Sequence, residues 1–175
     1  MAEEPIVIVP YDAAWPRRFE AERALLERVL APWLRGGIHH VGSTAIPGIA
    51  AKPIIDMVAG VRDLGQARAA FDLLRDEGYL YAPHRPGIAH HFAKPSPRLP
   101  EATHGLHLTE PGSDLWRERL AFRDVLRGDP ELVAEYEALK RRLAHEHRGD
   151  AAYVTGKRAF VASVLATVGL APGRR

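Results

Sequence analysis

The chain has 175 residues, 46% hydrophobic and 26% charged, the balance of a globular protein of one-domain size rather than a disordered one. Lysine plus arginine (24) barely exceed aspartate plus glutamate (22), and no basic run occurs, which argues against a nucleic-acid partner. Zero cysteines exclude disulfides, thiolate metal sites and cysteine nucleophiles.

The opening MAEEPIVIVPYD is acidic and then reaches proline and aspartate, without the basic-then-apolar order of a signal peptide. Ile6–Val9 reads as a short strand or extended lead-in. Pro16 can begin a helix, since its missing N–H would be unpaired in a first turn. Phe19, Leu26, Val29, Leu30 and Trp33 then recur at helical spacing, and the helix ends before Gly36-Gly37. Ile38–Val41 is a short strand broken by Gly42-Ser43-Thr44, and Ile54–Val61 is a mostly buried one. Asp63 caps a predicted helix through Leu74 that Gly78 closes. Tyr79–Tyr81 and Ile88–Ala93 form a strand pair, the proline-rich segment from Lys94 to Glu101 is a loop, and Thr103–Thr109 alternates as a strand.

Three helices complete the chain: one capped by Asp114 and running to about Arg127, one capped by Asp129-Pro130 and running to about Arg148, and one from Asp150 to Gly169. Ala171–Arg175 is expected to fray. The apolar stretch Ala159–Val168 contains Ser163 and Thr167 and is too short for a bilayer, so no membrane partner and a cytoplasmic location are expected. The pattern predicts a single α+β domain over residues 1–175: a mixed β-sheet of four to five strands flanked by helices, with further helices at the C-terminal end.

The most informative stretch runs from His39-His40-Val41-Gly42-Ser43-Thr44 to Lys52-Pro53-Ile54-Ile55-Asp56. A glycine–serine pair after a strand exposes backbone N–H groups and a small hydroxyl, a combination suited to phosphate. Asp56 sits in an otherwise apolar strand and needs a cation or hydrogen bonds, because burying it bare would cost several kcal/mol. A magnesium ion bridging Asp56 to a triphosphate meets that need. On spacing alone the plainer alternative stands beside it: Gly42-Ser43 as an ordinary turn and Asp56 as a helix cap.

Trp15-Pro16, the runs HVGSTAIPGIAAKPIIDM and THGLHLTEPGSDLWRERLAFRDVLR, and the later Tyr136, Leu139, Lys140, Tyr153, Lys157 and Phe160 together resemble the GrpB family, over nearly the whole chain. The resemblance implies a minimal nucleotidyltransferase-like fold. It also implies that Gly42 and Ser43, with Thr44 beside them, hold NTP phosphates and that Asp56 binds magnesium. The sequence departs from that pattern at Val58, where active members of the superfamily carry a second acid on the same strand face. A two-ion site needs more oxygen ligands than one carboxylate.

Strand parity in Thr103–Thr109 points Leu106 and Leu108 to the core and sets Gly105, His107 and Thr109 opposite, which favours His107 over Glu110 as a further ligand or general base. Histidine ligands suit Mn²⁺ or Zn²⁺ better than Mg²⁺. A transition-metal set of His40, His104 and His107, with His90 or His91, is the alternative beside Asp56. Lys52 and Lys157 are the cations expected to complete a phosphate pocket. The pairs Tyr153/Lys157 and Tyr136/Lys140, each four apart, and Arg85 are further candidates. Arg119, Arg123 and Arg127 read as a solvated stripe paired with Glu118 and Asp124. Three functions remain open at this level: an enzyme transferring a nucleotidyl group from an NTP to a small-molecule or protein acceptor, a nucleotide-binding module without transfer, and a His/Asp metal hydrolase.

Overall fold

The computed structural model describes residues 5–98, 101–147 and 150–171. Helix α1 (Trp15–Leu30) leads into β1 (Leu34–Val41), and a 3₁₀ turn at Ser43–Ala45 follows. Strand β2 (Ile55–Val61) precedes a 3₁₀ segment (Gln66–Ala70) that runs into α2 (Phe71–Asp76), then β3 (Leu80–Tyr81), β4 (His90–Lys94) and β5 (His104–Thr109). Helices α3 (Asp114–Gly128), α4 (Pro130–Glu146), α5 (Asp150–Gly156) and α6 (Arg158–Ala166) close the chain. The sheet order is β1-β2-β5-β4-β3, with β2 and β5 parallel and the other pairs antiparallel. The fold is therefore α+β with a mixed sheet of five strands, and none of its helices among the described residues is long and apolar enough to cross a membrane.

β2 lies inside the sheet and is covered on both faces, which is why it reads as a nearly continuous apolar run. One face carries Ile55, Met57, Ala59, Leu106 and Leu108, packed under Trp15, Phe19, Leu26 and Leu30 of α1 and Leu74 of α2. The other carries Val41 and Val58, covered by Leu115, Trp116 and Leu120 of α3. A separate apolar cluster joins Ile46 and Ile49 to Leu126, Tyr136 and Val164, so the segment after the 3₁₀ turn is anchored on the C-terminal helices rather than on the sheet.

Several boundaries differ from the sequence expectation for local reasons. The lead-in makes only one bridge, Val9 to Ala51. β1 begins at Leu34 and absorbs Gly36 and Gly37 as a register shift, both glycines having positive φ. Ser113, not Asp114, caps α3: its hydroxyl accepts from the Trp116 N–H, while Asp114 lies in the first turn. Asp129 caps α4 as expected, accepting from Glu131 and Leu132. The last predicted helix is two, interrupted at Lys157. The predicted limit at Arg148 and all of the 171–175 tail except Ala171 lie outside the described residues.

Candidate functional site

β2 presents Asp56 on the α3 side of the sheet, the face of Val58 and, through the parallel pairing, of Gly105 and His107. The Asp56 carboxylate is cradled by two glycines. A Cβ added at Gly105 would lie 2.7 Å from Oδ1, and one added at Gly42 would lie 2.7 Å from Oδ2. Gly42 also has φ +71°, so the turn after β1 demands glycine twice over, for its backbone and for room beside the acid. The glycine–serine turn and the acid are thereby brought to one place. Ser43 follows at once, close enough to the Tyr136 hydroxyl of α4 to offset part of the rise that burial causes in the Tyr136 pKa.

Burial pushes the Asp56 carboxyl above the usual aspartate range, against the opposing pull of Arg119, Lys52 and Lys157. The three cations come from α3, from the segment before β2 and from the α5–α6 junction, so tertiary structure alone collects them. Lys52 and Lys157 both stand over the Tyr153 ring, at 4.7 and 4.3 Å from its centroid. Arg119, read in the sequence as part of a solvated stripe, carries its charge toward Asp56, His107 and Tyr136. The rest of that stripe is not a solvated face either. Arg123 pairs with Asp124 at 2.7 Å, as expected, but also donates to the His40 carbonyl, and Arg127 donates to the Ala45 carbonyl.

Other expected site residues are placed elsewhere. Thr44 is buried, donates to the Ile54 carbonyl at 2.9 Å and meets His40 Nε2 at 2.9 Å, so its hydroxyl is committed to the fold rather than to phosphate. His40 pairs with Met57 and therefore lies on the α1 face, stacked on Phe19. Burial, with Arg127 and Arg123 nearby, lowers its pKa to about 4. Lys140 is buried with its ammonium donated to the Ala50 carbonyl, while Glu137 accepts the Ala50 N–H at 2.8 Å. These two α4 side chains, three residues apart, grip both backbone polar groups of Ala50, two residues before Lys52, which makes Lys140 a support of the site. Its own pKa falls to about 7 through burial and the charge of Lys157.

His107 does lie on the Asp56 face, with the parity read from the sequence. It is buried, stacked on His91 at 4.4 Å, and its Nδ1 has no hydrogen-bond partner among the described residues. Burial, then Arg119 and His91, hold its pKa well below the usual value, so it is a neutral imidazole. His84 and Arg85, in the β3–β4 connection, add to that effect. His90 faces Phe71 on the other side and meets the Leu64 carbonyl, and His104 sits 3.8 Å from Glu22 there. The histidine set conceived in one metal site is thus divided by the sheet.

No group of three or more metal-capable side chains exists among the described residues. Val58, two residues after Asp56 on the same face, is fully buried, and Gly105 pairs directly with Asp56, so neither neighbour adds a carboxylate. A resident pair of magnesium ions does not fit these residues. A single carboxylate does suit one ion that brings its own phosphate oxygens.

Asp56 gives a pH prediction with a definite sign. Its folded pKa exceeds its unfolded one, so the native state holds the extra proton and the group costs stability as pH rises through the ordinary aspartate range toward the raised value. In Asp56→Asn that loss disappears. Thermal melts from acid to neutral pH should show the variant gaining on the parent as pH rises. Glu22 and Glu137, whose pKa values are lowered, titrate alike in both proteins and cancel in the difference. A parallel pair of melting curves would refute the raised pKa.

The fold and this geometry define a class: an α+β protein with a mixed open sheet and one strand acid held between two glycines with three cations acting on it. The GrpB protein family model matches residues 5–167, and the chain belongs to the GrpB family. It is 36% identical to the glutamate-rich protein GrpB of Alkalihalophilus pseudofirmus, over 91% of this chain and 94% of that protein. The crystal structure of the conserved protein GrpB from Enterococcus faecalis superposes with a TM-score of 0.81 at 28% identity, covering 90% of this chain and 94% of that one. A protein of Mycolicibacterium paratuberculosis named dephospho-CoA kinase is 31% identical over 90% of this chain, which covers 44% of that protein.

Proposed function

We propose that the chain binds a nucleoside triphosphate, with magnesium arriving as part of the ligand, and does so without transferring the nucleotidyl group. The observation that carries this reading is that Arg119, Lys52 and Lys157, from three separate segments, all bear on one strand acid held between Gly42 and Gly105. Three cations gathered around one carboxylate suit a polyphosphate, while the carboxylate supplies the one position suited to its counter-ion. Gly42 and Ser43 supply a positive-φ turn and a hydroxyl at the same place. Binding is favoured over transfer because Val58 and Gly105 leave Asp56 as the sole carboxylate of its face in β2 and β5.

Calorimetric titration with ATP, GTP, CTP and UTP, with and without magnesium, tests the proposal. Dephospho-CoA belongs in the same panel because one relative bears the name of its kinase. Binding of at least one triphosphate, tightened by magnesium in the parent and indifferent to magnesium in Asp56→Asn, is the expected result. The absence of any saturable nucleotide signal would overturn the proposal. Steady pyrophosphate release, lost in Asp56→Asn, would replace binding by transfer.

A further inference from the structure

A hollow of about 290 Å³ opens beside the Ser43–Ala45 turn. Thr44 and Ala45 wall it, and the first turns of α1, the end of β1 and the last turns of α3 enclose it. Three arginines line it, Arg23, Arg123 and Arg127, against one glutamate, Glu20, which is paired with Arg23. Arg123 is fixed: its side chain is only 14% exposed, bonded to Asp124 at 2.7 Å and to the His40 carbonyl at 3.0 Å. Arg127, one helical turn on, spends its Nε on the Ala45 carbonyl at 2.8 Å and has no carboxylate at ion-pair distance among the described residues. Two neighbouring guanidinium groups are thus anchored through the backbone of the 3₁₀ turn and of β1, and they repel each other, Arg123 adding to burial in lowering the Arg127 pKa. Beside them lies a flat apolar wall, the Phe19 ring stacked on His40 at 4.8 Å and 12°. His40 is held neutral, so the charge of the hollow is set by the arginines.

We infer that this hollow is a binding site for a small organic oxyanion, a phosphomonoester or carboxylate whose planar body rests on the Phe19–His40 stack and whose anionic end lies between Arg123 and Arg127. The guanidinium fork matches both oxyanions, and an anion between two like charges relieves their repulsion. The volume is at the lower end of small-molecule sites, roughly 300–1,000 Å³, which restricts the ligand to a compact one. His40 lies on the sheet face opposite Asp56, and none of Asp56, Lys52, Arg119 or Lys157 lines the hollow, so this site is distinct from the one around the acid, although α3 and the 3₁₀ turn contribute to both. It stands whether or not the nucleotide reading does.

Titration with phenyl phosphate, benzoate and inorganic phosphate, followed by calorimetry or amide chemical shifts, tests the inference. Saturable binding of phenyl phosphate or benzoate is expected, weakened about tenfold or more in Arg127→Met by loss of a charge-assisted contact. Arg127 is exposed, so that variant should fold, and Arg23→Met is a second probe on α1. The same affinity should persist in a protein carrying Lys52→Met and Lys157→Met, whereas loss there would assign the signal to the site around Asp56 and overturn the inference. Failure of both organic probes to saturate, or binding unchanged in Arg127→Met, would also overturn it. The two organic probes separate phosphate from carboxylate recognition. Inorganic phosphate binding as tightly as phenyl phosphate would eliminate the aromatic wall from the site.

Discussion

Lys52→Met combined with Lys157→Met should weaken triphosphate binding by at least roughly 100-fold, since hydrogen bonds to charged groups contribute about 1.5–3 kcal/mol each. The folded protein should survive the change. Both ammonium groups lie over the buried Tyr153 ring, and such contacts contribute about 0.5–2 kcal/mol each, a loss a folded domain can absorb. The charge of Lys157 also opposes protonation of the buried Lys140, so its removal relieves a repulsion. Titration calorimetry beside a thermal melt that stays cooperative and shifts by only a few degrees separates the two effects. A double variant that binds as the parent does would remove these lysines from the site. Lys157→Arg, which keeps the charge, should retain most of the affinity.

Gly60→Ala should destabilise the protein by about 3 kcal/mol or more, a melting-temperature loss on the order of 6–12 °C for a chain of this size. Gly60 lies in β2, and a Cβ there would collide with the Arg35 carbonyl of the β1 bulge and approach Pro111 at 2.9 Å and Trp116 at 3.0 Å. The backbone carbonyl cannot rotate away as a flexible side chain could. The strand must shift, and it is the strand that carries Asp56. A thermal melt of the purified variant measures the loss, and a melting temperature within a degree or two of the parent would show that the close approach is not as described.

Much of this fold was legible because the strands and helices are patterned strongly in one dimension. Ile54–Val61 reads as buried on both faces, Phe19, Leu26 and Leu30 mark the inner stripe of α1, and Asp129-Pro130 announces the start of α4. The side of β5 on which His107 lies follows from alternation alone. Less legible were features set by partners distant in sequence. The break at Lys157 is invisible in the apolar spacing from Asp150 to Gly169, and Gly36-Gly37 looked like a terminator when it is a bulge held by β2. Gly105 could have been found, since a glycine within a strand often marks close approach of another group; here that group is the Asp56 carboxylate.

The histidines show the same division. His39 and His40, His90 and His91, and His104 and His107 are near neighbours in sequence, yet the sheet sends His40, His90 and His104 to one face and His91 and His107 to the other. Arg119 differs from Arg123 and Arg127 only by its position along α3, and that position decides whether the charge reaches Asp56 or the far side of the 3₁₀ turn.

By itself the sequence determined the α+β class, the acid at Asp56 and the glycine–serine turn, because each depends on residue type and short-range periodicity. Tertiary structure alone decided that Arg119 joins Lys52 and Lys157 around that acid, that Thr44, His40 and Lys140 serve the scaffold, and that a basic hollow exists beside the same turn. The physical reason is that charge and close packing act through space: Arg119 and Lys157 reach Asp56, Arg123 reaches the His40 carbonyl and Lys140 the Ala50 carbonyl across roughly 60 to 100 residues of chain.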